Sequence, residues 1–402
     1  MASYFDDGLR YSPSARKKPS RFPAEIVLST AFTGVRFHPD RLKDADGDPA
    51  RVPSGHLAKH MPITPREVAR DAFAAYKEGS RFFHLHARNP KTARQSANPA
   101  DYEACIDAIR DELWNQRVYI SGPTSRKEDV DTAIKARMEE LEMTDLPLEP
   151  IEVAQAELIR AIPAVKGGVD FLTIATEPDI LTDEMIADFD NNPRTSAHAR
   201  RWPETVRAYF NKLAALTIRN NIRHEVEIMH ADMLNTLDKL TDDPGFRLGA
   251  VGGTLHAVVL LGFSRQLPID EDVFRTTMER LTALQKKTGL DFTVSVGAVI
   301  MPKEAAQGSP RKHGEWLLDG HDYREVIEWV VEHNRNARAE RLLPVDIFRT
   351  GLEDAPVMYG KQQTNASLVR MARRIFAEHN VGIVTDQNKA NRILGVAPEL
   401  SI

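Results

Sequence analysis

Eight short apolar runs, most of them separated by stretches of helical spacing, constrain this chain more than any other feature of its sequence. They fall at residues 24–32, 81–88, 117–120, 167–176, 222–229, 255–261, 291–301 and 344–350. Runs of this length, bounded by Gly, Pro and polar turn residues, read as buried parallel strands. A strand followed by an amphipathic helix is half of a β/α repeat, and eight of them are the pattern of a (β/α)8 TIM barrel. A doubly wound open sheet is the alternative. No Gly-x-Gly-x-x-Gly opens a helix after a strand, so the dinucleotide-binding form of that alternative lacks its fingerprint.

The stretch before the second run shows how sharply some elements are written. Thr64 stands as an N-cap, Pro65 takes the first helical position and Glu67 completes a capping box. Apolar residues recur at Val68, Ala72, Ala75 and Tyr76, and Gly79 stops the helix. In the strand that follows, Phe82, His84, His86 and Arg88 share one face, and Phe83, Leu85 and Ala87 the other. Further helices are expected over residues 99–113, 203–220, 270–287, 366–378 and 385–394, with a charged helical layer at 126–165. The polar, basic segment 1–22 reads as a surface arm and residues 23–402 as one barrel domain. Residues 40–61, 183–203 and 302–322 read as loop insertions, the last a natural lid.

A net charge of −5, with 42% hydrophobic and 28% charged residues, excludes a basic nucleic-acid binder. The single cysteine, Cys105, leaves neither a disulfide framework nor a thiolate cluster, which points to the cytoplasm. No apolar run reaches the ~20 residues that cross a bilayer, and the N-terminus lacks the apolar middle of a signal peptide.

Chemistry concentrates in a few residues near predicted strand ends. His84 and His86 are either two ligands of a cation or packed core histidines. A catalytic zinc takes three protein ligands and leaves a position open. The third can come from Glu353 after the eighth strand, or from Glu225 or Glu227 on the fifth; spacing does not choose. Arg349 and Asp354 flank Glu353 as a guanidinium and a second carboxylate, either a proton-moving pair or a surface salt bridge. His38, His224, His230, His256 and His313 read as surface or packing residues. Lys303, Arg311 and Lys312 lie in the seventh loop, where CoA phosphates or water can meet them.

Several stretches, taken together and in order, resemble the β-keto acid cleavage enzyme family. They are Thr33-Gly34, Pro62-Ile63-Thr64-Pro65 with its helix, His84-Leu85-His86-Ala87-Arg88, Ser121-Gly122, Glu225-Val226-Glu227 and Arg349-Thr350-Gly351-Leu352-Glu353-Asp354. The resemblance continues through Asn365-Ala366-Ser367-Leu368-Val369 and Ala390-Asn391-Arg392-Ile393-Leu394-Gly395. It implies a zinc-containing (β/α)8 barrel, usually a homotetramer, that converts a β-keto acid and acetyl-CoA to acetoacetate and a new CoA thioester. By position it implies zinc (Zn2+) on His84, His86 and Glu353. It also implies Asp354 as the base, with Arg349 orienting it and stabilising negative charge. Ser121, Gly122 and Thr173 match positions that hold the substrate carboxylate and keto group, and Thr33 and Arg36 fall at its side-chain end. A metal-dependent aldolase or hydrolase without CoA, and an inactive binding barrel, are the competing readings of the same residues.

This chain departs from the family at three positions and is longer than a typical member. Ala175 and Ala355 stand where the family carries Asn, and Arg36 where it carries Glu to meet a substrate amino group. A cation at position 36 repels an ammonium, so the substrate side chain is expected to be anionic or neutral and polar. Arg36→Glu is therefore expected to shift the kcat/KM preference toward amino-bearing β-keto acids by about tenfold; an unchanged substrate profile would contradict this.

Overall fold

Parallel strands that each pair with the next must end in two open edges or close on themselves, and here they close. The computed structural model describes residues 25–32, 61–114, 116–124, 136, 139–140, 149–175, 202–229, 231–242, 254–262, 267–299, 320–354, 357–358 and 361–395. Its principal strands are β1 (Glu25–Ala31), β2 (Ser80–His84), β3 (Tyr119–Gly122), β4 (Phe171–Ala175), β5 (Arg223–Ile228), β6 (Thr254–Leu261), β7 (Asp291–Ala298) and β8 (Ile347–Thr350). They follow one another in chain order, all parallel, and β8 returns to β1 with Leu28 opposite Phe348 and Ser29 opposite Arg349. This is the (β/α)8 barrel expected from the strand pattern, and closure leaves the eight staves no free edge.

The helices are α1 (Pro65–Glu78), α2 (Pro99–Glu112), α3 (Pro150–Glu157), α4 (Ile162–Lys166), α5 (Trp202–Arg219), α6 (Ala231–Thr241), α7 (Glu271–Thr288), α8 (Gly320–Glu340), α9 (Asn365–Glu378) and α10 (Gln387–Ile393). The capping box of α1 forms as written: Thr64 Oγ1 accepts the Glu67 N–H, and Glu67 Oε2 accepts the Thr64 N–H at 2.9 Å. Val68, Ala72 and Ala75 of α1 bury against Phe83, Leu85 and Ala87, which face outward from the second stave and its extension. No described helix is long and apolar enough to cross a membrane.

Two strand ends differ from the pattern. β3 continues through Ser121 and Gly122, where a break was expected, because both pair with β4; Pro123, which has no N–H to give, follows the last strand residue. β2 stops at His84 although the apolar run continues to residue 88, because β3 offers it a ladder only from Tyr119 to Ser121. Beyond His84 the Leu85 N–H still reaches Ser121 O, and the chain then leaves the wall in a turn closed by a bridge between Arg88 and Gln95. The seventh loop also ends early, since residues 320–322 already belong to α8. Three two-residue strands were not read from the sequence. β9 (Val357–Met358) and β10 (Lys361–Gln362) form a hairpin, and β11 (Gly382–Ile383) pairs with the start of β1. Segments 1–22, 40–60, 126–135, 183–200 and 302–319 lie outside the described residues.

Inside the barrel a lower apolar layer of Val27, Phe82, Tyr119, Phe171 and Ile347 is closed from below by Val384, Ala390 and Leu394. Gln387 and Asn391 of α10 fasten this plug by donating to the Arg81 and Arg117 carbonyls. Two residues further along the same staves the inward positions turn polar: Ser29, His84, Ser121, Thr173 and Arg349, all buried. The change from apolar to polar runs toward the C-terminal ends of the strands, the face on which such barrels carry chemistry.

Candidate metal centre

The last residue of β2 and the turn after β8 build this site. Gly351 has φ +140°, and a Cβ there would lie 2.0 Å from the Ala31 carbonyl oxygen, so only glycine fits. The turn it makes lets the Asp354 N–H donate to Gly351 O at 3.1 Å and carries Glu353 over the end of β2. His84 Nε2 and His86 Nε2 stand 3.0 Å apart. Glu353 brings Oε1 to 3.1 Å from His86 Nε2 and Oε2 to 3.6 Å from His84 Nε2.

This arrangement is what a cation needs. Two ligands each about 2.0–2.1 Å from a tetrahedral zinc stand about 3.3–3.4 Å apart, and the spacings above bracket that value. Among the described residues these three side chains form the one cluster able to hold a metal. The donor set fits as well. Burial, then Arg349, pushes the His84 pKa well below the usual imidazole range, so the ring is neutral with a lone pair to offer. Burial would raise the Glu353 carboxyl, but His86, Arg349 and His84 outweigh it and hold the group well below the ordinary carboxylate range.

The ring of His84 is held from behind. With Nε2 turned to the cluster, Nδ1 carries the proton and donates to Ser121 Oγ at 2.8 Å, with Thr173 Oγ1 at 3.4 Å and Glu225 Oε1 at 3.9 Å. The Ser121 hydroxyl in turn bonds Glu225. Burial, with Glu227 adding and Arg349 opposing, pushes the Glu225 carboxyl up to about 8. His256, set between Phe82 and Phe171 and 3.8 Å from Glu225, is pushed down to about 3 by burial and by Arg349.

Arg349 gathers the carboxylates. Its Nε and Nη2 donate to Asp354 Oδ2 and Oδ1 at 3.0 and 3.2 Å, a two-pronged contact, while Nη1 donates to Glu227 Oε1 at 2.9 Å and Nη2 lies 3.3 Å from Glu353 Oε2. One guanidinium facing Glu227, Glu353 and Asp354 leaves the pocket with surplus negative charge, which a divalent cation would offset.

The structure therefore brings His84, His86, Arg349, Glu353 and Asp354 into one site, with Ser121 and Thr173 behind His84. Gly122 points its Cα at the outer layer, where a Cβ would meet Val169 and Ala164 at 2.8 and 2.9 Å, so it can serve the site only through its backbone. Of the two β5 carboxylates offered as ligands, Glu225 lies behind His84 and Glu227 on Arg349. His224 is a packing residue, as expected, bonded to Thr217 Oγ1. Thr33, Arg36, His38, His230, Lys303, Arg311, Lys312, His313 and Ala355 lie outside the described residues. Sequence reasoning missed Asp71, which contacts Asn365 next to the Glu353 turn; an acidic residue on an otherwise apolar helix face was the signal.

The family model described as beta-keto acid cleavage enzyme matches residues 52–303. A 3,5-dioxohexanoate:acetyl-CoA acetone transferase of Paraburkholderia graminis is 34% identical over 56 residues, which are 14% of this chain and 18% of that relative's length. Among solved structures, a ternary complex of ObcA with C4-CoA adduct and oxalate superposes with a TM-score of 0.47 at 14% identity, covering 84% of this chain and 68% of that one. The metallated homocysteine methyltransferase MmuM from Escherichia coli gives a TM-score of 0.40 at 11% identity, covering 87% of this chain and 96% of that one.

Removing the guanidinium leaves three carboxyl groups facing one another in a buried pocket. Arg349→Met is expected to destabilise the metal-free protein by about 3–5 kcal/mol, with Arg349→Lys in between because it keeps the charge but not the fork. Urea denaturation checks this, and an unchanged midpoint for Arg349→Met would contradict it.

Proposed function

The chain belongs to the beta-keto acid cleavage enzyme family, and from that premise we propose that it is a zinc-dependent enzyme joining a β-keto acid to acetyl-CoA and releasing acetoacetate and a CoA thioester. The observation that carries this reading is the meeting of His84, His86 and Glu353 beside an Asp354 held two-pronged by Arg349. In this reading His84 Nε2, His86 Nε2 and the Glu353 carboxylate hold zinc. When bound, the ion supplies Lewis-acid polarisation of the substrate keto oxygen.

Asp354 takes a proton from the carbon between the keto and carboxyl groups. That carbon bonds to the thioester carbonyl of acetyl-CoA as the CoA thiolate leaves. The thiolate then adds to the original keto carbon, the bond from that carbon to the central carbon breaks, and the protonated Asp354 returns its proton. Acetoacetate and an acyl-CoA are the products, and all atoms are accounted for. Arg349 holds Asp354 in position and offsets negative charge as it develops. Ser121 and Thr173 keep the His84 ring turned toward the cluster. Substrate recognition falls to the backbone at Gly122 and to Thr33 and Arg36.

The test combines product analysis with one variant. Acetoacetate is expected only when acetyl-CoA is present, and Asp354→Asn is expected to lower kcat by about 10³-fold without loss of zinc. Cleavage that proceeds equally well without acetyl-CoA would overturn this reading in favour of an aldolase or hydrolase.

A further inference from the structure

A second set of polar groups grips the Glu353 turn from outside the barrel wall. Asn365, the first residue of α9, is completely buried, and its Oδ1 accepts the Leu352 N–H at 2.8 Å. Its Nδ2 donates to Asp71 Oδ2 on α1, which packs against α9. Leu352 immediately precedes Glu353, so the turn is held from inside by Arg349 and from outside by the Asn365 amide.

The two ends of a side-chain amide are almost the same size, and only their partners decide which way round it sits. The Leu352 N–H requires the oxygen, so the NH2 end must meet an acceptor, and Asp71 is that acceptor. Without it the amide would bury an unpaired NH2 or turn it against the Leu352 N–H. The carboxyl gives up hydration to stay there: burial pushes Asp71 up to about 6, the Asn365 hydrogen bond acting the other way. No salt bridge to a described residue repays that loss. A carboxyl kept under those conditions serves orientation better than stability.

We propose that Asp71 is a positioning residue: through Asn365 it fixes the Leu352 amide, and with it the placing of the Glu353 and Asp354 carboxylates at the barrel mouth. The proposal builds on the site assignment above. It needs a readout that does not depend on activity, and amide exchange at Leu352 provides one, because Asp71 itself does not touch that amide.

The experiment compares the full-length wild type with Asp71→Ala, Asp71→Asn, Asn365→Ala and the Asp71→Ala/Asn365→Ala double variant. Three quantities are read: hydrogen exchange at Leu352, zinc affinity by chelator competition, and kcat and KM. Asp71→Ala is expected to speed Leu352 exchange by about fivefold to tenfold, weaken zinc binding by about tenfold and lower kcat with KM within about twofold. Asp71→Asn keeps an acceptor oxygen and is expected to restore all three to within about threefold of wild type. The double variant is expected to match Asn365→Ala alone, since the two residues act as one chain of contacts. Wild-type exchange and zinc affinity in Asp71→Ala, or additive losses in the double variant, would overturn the proposal. If Asp71→Ala does not fold, Asp71→Ser is read by the same criteria. Should the wild type bind no zinc and cleave no β-keto acid, the site assignment fails, and Leu352 exchange alone still decides whether Asp71 holds the turn.

Discussion

Buried negative charge at the barrel mouth is the constraint to which the rest of this structure answers. Glu227, Glu353 and Asp354 converge on a single guanidinium, that of Arg349. Carboxylates taken out of water are costly unless paired and hydrogen-bonded. Arg349 meets part of that requirement with its two-pronged hold on Asp354, and the Glu353 carboxylate also faces the His84 and His86 rings. A site with this composition is poorly suited to a purely structural role, because an apolar layer would fill the same space at lower cost.

The barrel makes the arrangement possible by bringing distant residues together. His84 and Glu353 lie far apart in sequence, yet β1, which pairs with both β2 and β8, sets their strand ends side by side. The close approach of the Gly351 turn to Ala31 carries Glu353 across β1. Below, the apolar plug of Phe82, Phe171 and their neighbours gives the polar layer a rigid floor. His84 is thus fixed by its own strand, by Ser121 and by Thr173, and Glu353 by its turn. Side chains fixed in this way would need little rearrangement to bind a cation.

Much of this was legible in the sequence because it depends on periodicity. The two-residue repeat set Phe82 and His84 on one face and Phe83 on the other, which the barrel turns inward and outward, and the capping residues from Thr64 to Gly79 delimited α1. Strand ends were less legible, because a strand stops where its partner stops. Nothing within residues 81–88 announces that β3 offers a ladder only as far as Ser121, and nothing local says that Ser121 and Gly122 will find β4. The ligand choice shows the same limit. Glu225, Glu227 and Glu353 were equivalent by spacing, and the closure of β8 onto β1 separates them in space. Asp71 was legible only in part, as an acidic residue on an otherwise apolar helix face, since its partner Asn365 lies at the other end of the chain.

The central claim is that a divalent ion is bound between β2 and the turn after β8. X-ray absorption at the zinc edge, on protein purified without added metal, tests it most directly. The account predicts about one zinc per chain in a nitrogen and oxygen shell at about 2.0–2.1 Å, with the multiple-scattering signature of two imidazoles. A folded protein that takes up no zinc even when the ion is supplied, or a zinc shell without imidazole, would contradict it.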